Sequence, residues 1–205
     1  MQAARGASLS SSDQETQGET SPPPQRARRR CLLLFAAVAA LAYALDVVTK
    51  VLAVHFLTGR PPVPVIGDFF TLALTRNSGA AFSTATSYTA ALTVIALAAG
   101  AVVLWVARRL ASPGWAVALG LLLAGVAGNL TDRLFREPAP FQGHVVDFLS
   151  FPHWPVFNVA DACINVAAAL IIIQSLRGVR VNGTPSRGQS DDREPGTDTR
   201  DSARP

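Results

Sequence analysis

Lysine is almost missing from this 205-residue chain: Lys50 stands alone, and every other basic side chain is arginine or histidine. Cysteine is scarce as well. Cys31 and Cys163 fall near the starts of different apolar runs, which supplies neither a disulfide framework nor a metal-ligating cluster. The three histidines, His55, His144 and His153, have no ligand spacing, and there is no His-Glu-x-x-His. Ser78 and Ser83 have no nucleophile elbow and no base partner. Zinc hydrolysis and Ser–His catalysis are therefore unsupported, and no metal or cofactor is expected. The net charge of +4 and pI near 9.8 invite a nucleic-acid reading. No basic stripe interleaves with aromatics, so no nucleic-acid partner is expected.

What the chain does have is apolar length. Both ends are strongly polar, yet mean hydropathy is +0.29, so apolar residues must be concentrated in the middle. Four runs carry them: about Cys31 to Val54, Tyr88 to Val106, Trp115 to Leu130 and Val156 to Leu176. About 20 helical residues cross a 30 Å hydrocarbon core, so three runs qualify outright and the third is a little short. Helix is favoured because lipid offers no partner to an open backbone N–H or C=O. The expected fold is an all-α integral membrane protein: four transmembrane helices, a small β-rich extracytoplasmic element and disordered tails. The element rests on the half-buried pattern of Phe69 to Thr75. Domain boundaries are set at 1–30 for a basic tail, 31–177 for the membrane domain and 178–205 for a second tail. Neither tail has a core-forming pattern.

Arginines set the orientation. Arg26, Arg28, Arg29 and Arg30 precede the first run, Arg108 and Arg109 join the second to the third, and Arg177 and Arg180 follow the fourth. The positive-inside rule puts these groups, and both termini, in the cytoplasm. Ala42-Tyr43-Ala44 after an arginine cluster also resembles a signal-peptide cleavage site. A retained first helix is preferred, because the run is long for such a peptide and three more spans follow.

Charged residues within such helices are costly and tend to carry function. Here they sit at one end. Asp46 and Lys50 are spaced i,i+4 and can pair, as a local neutralising pair or in a functional role. Asn129, Asp132 and Arg133 share a face at the end of the third run, and Asn158, Asp161 and Asn165 form a polar stripe on the fourth. Asp147 lies within the apolar stretch Val145-Val146-Asp147-Phe148. Each acid alone could be structural. Asp147 and Asp161, separated by one short segment, suggest convergence. Two adjacent carboxylates share a proton: the ionised member can deprotonate water while the protonated one hydrogen-bonds a scissile carbonyl. Asn77-Ser78-Gly79-Ala80-Ala81-Phe82 reads as a tight turn, or as small residues allowing close approach of a ligand. A proton-coupled transporter is the alternative class, although transporters place their sites near the midplane between repeats and none is visible. A third class is an assembly protein whose acids only pair helices.

Taken in order, Asp46-x-x-Thr49-Lys50, Asn77-Ser78-Gly79-Ala80-Ala81-Phe82, Gly128-Asn129-Leu130-Thr131-Asp132-Arg133, Val145-Val146-Asp147-Phe148 and Phe157-Asn158-Val159-Ala160-Asp161 resemble the motifs of the bacterial lipoprotein signal peptidases (signal peptidase II). The resemblance implies an aspartic endopeptidase that cuts diacylglyceryl-modified prolipoproteins before the lipidated cysteine. It implies a multi-pass protein of the bacterial cytoplasmic membrane with its site at the extracytoplasmic face. Its partners would be the lipid-modified substrate and membrane lipid, with no obligate protein partner. The family's catalytic aspartates correspond to Asp147 and Asp161. Asn77, Gly79, Asn129, Asp132, Arg133 and Asn158 match supporting or substrate-binding positions, as do Asp46 and Lys50. The chain departs from the family at Val47, where glutamine is common, in a longer 134–144 segment, and in a short link from Asp147 to Asp161.

Overall fold

The computed structural model describes residues 25–79 and 85–184. Four helices are long and apolar enough to cross a membrane: α1 (Gln25–Leu57), α2 (Ala85–Ala107), α3 (Pro113–Phe135) and α4 (Val159–Leu176). Large apolar side chains face outward along them, with Leu41 73% and Ile95 62% exposed, as lipid contact requires. The protein is an all-α integral membrane protein. Its third span is not short. α3 continues through Thr131-Asp132-Arg133 to Phe135, because those polar residues are helical and only look like a loop by hydropathy.

α3 is the central helix, packing against α1, α2 and α4. Small residues allow this. A side chain at Gly120 would meet the Phe35 carbonyl of α1 at 3.0 Å, and one at Gly128 would collide with the Asp46 carboxylate. Close backbone approach through small residues is the usual route to helix association in lipid, where burial of apolar surface offers little driving force.

A three-stranded antiparallel sheet caps one end, in the order β1 (Val63–Ile66), β2 (Phe70–Asn77), β3 (Val145–Ser150). The β-rich element expected from Phe69 to Thr75 is therefore β2, the middle of three strands, completed by a strand from the α3–α4 connection. A register shift between Leu72 and Thr75 bends β2 before Thr75 pairs with Asp147 and Asn77 with Val145.

Both expected tails differ at their inner boundaries. Gln25 to Arg30 already belong to α1, so the basic cluster is helical. Residues 178–184 fold back instead of trailing away: Trp115 Nε1 donates to the Val179 carbonyl (2.7 Å) and Ala111 N to the Val181 carbonyl (3.0 Å). The rest of each tail, 1–24 and 185–205, lies outside the described residues.

Candidate active site

At the sheet-capped end, five elements deliver polar side chains to one cluster, in which Asp46, Lys50, Asp132, Asp147 and Asn158 are buried, Asn129, Arg133 and Asp161 half-buried and Asn77 exposed. Asp46 and Lys50 come from α1, Asn77 from the end of β2, Asp147 from β3, Asn129, Asp132 and Arg133 from the end of α3, and Asn158 and Asp161 from the start of α4. Asn158 is the cap of α4 and not part of a stripe within it. Its side chain accepts from Asp161 N (2.9 Å) while its own backbone N–H donates to Asp161 Oδ2 (3.2 Å), a capping box that fixes both residues.

The link from Asp147 to Asp161 is short because it is a closed hairpin. Phe148 N and Leu149 N both donate to the Phe157 carbonyl, and Phe157 N donates back to Leu149. Phe151 stacks on Phe70 and Phe157 with ring centroids 5.0 and 5.9 Å apart. The hairpin lays Asp147 beside the α4 cap. Asn158 Nδ2 donates to Asp147 Oδ1 (2.6 Å), and Asn77 Nδ2 donates to Asp147 Oδ2 (2.9 Å). Asn129 Nδ2 holds Asp161 Oδ1 (2.8 Å), and Asn129 Oδ1 accepts from Asn158 (3.2 Å). Asp147 is 1% exposed, and this burial is the main reason its carboxyl is pushed up to about 6. The charge of Asp161 pushes the same way, while the amides of Asn77 and Asn158 and the charge of Lys50 favour the ionised form.

Asp46 and Asp132 are bound quite differently. Lys50 Nζ lies 2.8 Å from Asp46 Oδ2, 2.9 Å from Asp132 Oδ2 and 3.0 Å from Asn129 Oδ1. Arg136 pairs with the other Asp132 oxygen, Val146 N donates to Asp132 Oδ2 (3.2 Å), and Ala160 N donates to Asp46 Oδ1 (2.8 Å). Two carboxylates thus balance two cations, and the network ties α1, α3, β3 and α4 together. Lys50 hydrogen-bonds Asn129 and forms ion pairs with both carboxylates.

The Asn77 turn is held from both sides. Gly79, at φ 84°, donates its N–H to Asn77 Oδ1 (2.8 Å), which turns the Asn77 amide toward Asp147. Arg133 lies beside it, 3.5 Å from where a Gly79 Cβ would sit. Thr89 Oγ1 donates to the Ser78 carbonyl (2.5 Å), and Thr93 Oγ1 to the Phe141 carbonyl (3.0 Å). The long 134–144 connection therefore folds back over the end of α3 and is anchored to α2. Sequence reasoning missed Thr89, Thr93 and Arg136. Only Arg136 carried a signal, its i,i+4 spacing from Asp132.

The fold and site define a small four-span membrane enzyme with amide-held carboxylates at one end of its bundle. Residues 38–177 match the family model described as signal peptidase (SPase) II. A lipoprotein signal peptidase of Mycobacterium avium (strain 104) is 51% identical over 178 residues, covering 87% of this chain and 97% of that protein. One from Rhodococcus jostii (strain RHA1) is 48% identical, covering 74% and 76% respectively. A bacterial membrane enzyme solved by the in meso method superposes with a TM-score of 0.63 at 27% identity, covering 70% of this chain and 92% of that one. The chain belongs to the signal peptidase II family. It is an aspartic endopeptidase of the membrane that processes lipoproteins.

Proposed function

We propose that Asp147 and Asp161 are the catalytic pair, and that the substrate is a diacylglyceryl-modified prolipoprotein cut immediately before its lipidated cysteine. The observation that carries this assignment is the contrast in partners. Asp46 and Asp132 are neutralised by Lys50 and Arg136, whereas Asp147 and Asp161 are held by amides and share Asn158. Only the second pair is left to move protons.

With its carboxyl raised to about 6, Asp147 holds the proton that the pair shares. Asp161 takes a proton from water as the water oxygen bonds to the scissile carbonyl carbon. The Asp147 O–H hydrogen-bonds the carbonyl oxygen as charge develops there. The tetrahedral intermediate then collapses. Asp161 returns its proton to the departing nitrogen, which becomes the amino group of the lipidated cysteine, and the signal peptide leaves as a carboxylic acid. Arg133 Nη1 is buried without a hydrogen-bond partner among the described residues, a donor available to a substrate carbonyl.

An apolar cavity of about 770 Å³ supports the lipid part of the reading. Phe69, Phe151, Trp154, Phe157, Ala162 and Val166 line it, so it begins one residue after Asp161 on α4. Acyl chains seated there hold the adjoining peptide bond at the interface, near the pair. The orientation follows from the arginines: the basic end of the bundle is cytoplasmic and the sheet-capped end extracytoplasmic.

The test is a gel-shift cleavage assay on purified diacylglyceryl-prolipoprotein. Wild type cuts without added metal, while Asp147→Asn and Asp161→Asn stay folded in detergent and lose about 10²–10⁴-fold in rate. A folded Asp147→Asn or Asp161→Asn protein that cuts at the normal rate overturns the pair.

A further inference from the structure

Among the described residues, the end of the bundle opposite the carboxylates carries arginines and no acids. Arg26, Arg28, Arg29, Arg30, Arg108, Arg109, Arg177 and Arg180 gather there. All six acids among the described residues, Asp46, Asp68, Asp132, Glu137, Asp147 and Asp161, belong to the other half. The positive-inside rule accounts for charge at that end but not for its arrangement.

Two of these arginines are built into a cavity. After α4, residues 178–184 turn back across the α2–α3 connection, held by Trp115 Nε1 to Val179 O (2.7 Å), Ala111 N to Val181 O (3.0 Å) and Gly183 N to Arg180 O (2.9 Å). This fold-back carries Arg180 to the end of α2. There Arg109 lies over the Trp105 ring, its guanidinium carbon 5.4 Å from the ring centroid. The result is a cavity of about 370 Å³ lined by Trp105, Val106, Arg109, Arg180, Val181 and Asn182. Neither arginine has a carboxylate partner among the described residues. Two guanidinium groups on one small cavity repel each other unless an anion lies between them. On the neighbouring α2 surface, Val102 and Leu104 are 57% and 53% exposed, apolar and turned to lipid. Trp105 stands at the boundary between the two, where membrane proteins concentrate tryptophan.

We propose that this cavity binds the headgroup of an anionic phospholipid. The phosphate sits between Arg109 and Arg180, Asn182 and Trp105 flank it, and the acyl chains run along α2. Guanidinium favours phosphate because its planar N–H groups match the oxygens in pairs. A free phosphate would satisfy the arginines but leave the apolar side of the site unused. The site is separate from the peptide-cutting end and is read by lipid retention, so its success or failure does not depend on the catalytic assignment.

Full-length protein in neutral detergent is titrated with phosphatidylglycerol, phosphatidylcholine or inorganic phosphate, and retained ligand is counted by native mass spectrometry. Phosphatidylglycerol is expected to be retained in preference to both others. The double variant Arg109→Gln/Arg180→Gln should weaken its retention about 30-fold, from the contribution of two basic groups near an anionic headgroup. A matched double variant outside the cavity, Arg29→Gln/Arg30→Gln, should stay within about threefold of wild type, because those two arginines do not line the cavity that would hold the phosphate. Cleavage in detergent should be unchanged in both. Equal loss in the two variants would reduce the effect to diffuse charge and overturn the site. Retention of phosphatidylcholine or inorganic phosphate as strong as that of phosphatidylglycerol would overturn the lipid assignment even without variants.

Discussion

Lys50 meets Asp46, Asp132 and Asn129 with a single ammonium, and at 1% exposure it has no water to fall back on. Lys50→Met leaves two buried carboxylates facing one remaining cation, Arg136. A loss of about 3–5 kcal/mol is expected from an uncompensated buried charge, read as a large drop in the thermal unfolding midpoint in detergent. Asp147 behaves in the opposite sense. Its carboxyl is raised from 3.8 to about 6 in the folded protein, so its contribution to stability is complete below pH 3.8 and is lost as pH rises through about 6. Asp147→Asn removes that charge, so the stability gap between wild type and the variant should narrow as pH rises from 4 to 8, while cleavage falls about 10²–10⁴-fold. Asn77→Ala removes an amide that favours the ionised carboxylate, so the Asp147 value should rise further. In the proposed mechanism Asp147 is protonated during cleavage, and the alkaline limb of the pH–rate profile should therefore move to higher pH. A limb that stays in place in Asn77→Ala would show that the titrating proton is not on Asp147.

At the scale of elements, α3 is where packing and site meet. A methyl group at Gly128 would occupy the position of the Asp46 carboxylate. Gly128→Ala should cost about 1–3 kcal/mol and lower cleavage as well, since overpacking here separates α1 from α3 beneath the site. Circular dichroism melts together with the cleavage assay would register both. The four helices were legible in the sequence because a membrane span is written in hydropathy alone. β3 was not. All of Val145 to Phe148 are buried, so no alternation marks a strand, and its partner β2 lies about seventy residues earlier. Asp147 was still recognisable, since a carboxylate inside an apolar run is anomalous whatever the backbone does. The Asp46–Lys50 pair could be read from its spacing, whereas Asp132 joins Lys50 only through the packing of α1 on α3. Thr89 and Thr93 looked like ordinary members of an apolar helix, and only the fold gives them loop carbonyls to hold.

Across the whole molecule, the arginine cluster and the carboxylate cluster occupy opposite ends. With Cys31 and Cys163 replaced by Ala, cysteines introduced singly at Val65 and Asn182 should separate under a membrane-impermeant maleimide in intact cells: Val65→Cys labels and Asn182→Cys does not. The reverse pattern would invert the orientation. The fold-back of 178–184 also moves the boundary of the folded unit. A chain ending after Thr184 should cleave at the wild-type rate, whereas one ending after Arg177 loses the contacts to Ala111 and Trp115 and should melt several degrees lower.

The solitary Lys50 has a use at the bench. Amine-reactive dyes and crosslinkers find no accessible lysine on the folded protein, because its one ε-amino group is enclosed by two carboxylates and an amide. Modification at Lys50 should appear only when α1 and α3 part, which makes that single nitrogen a chemical clock for opening of the bundle.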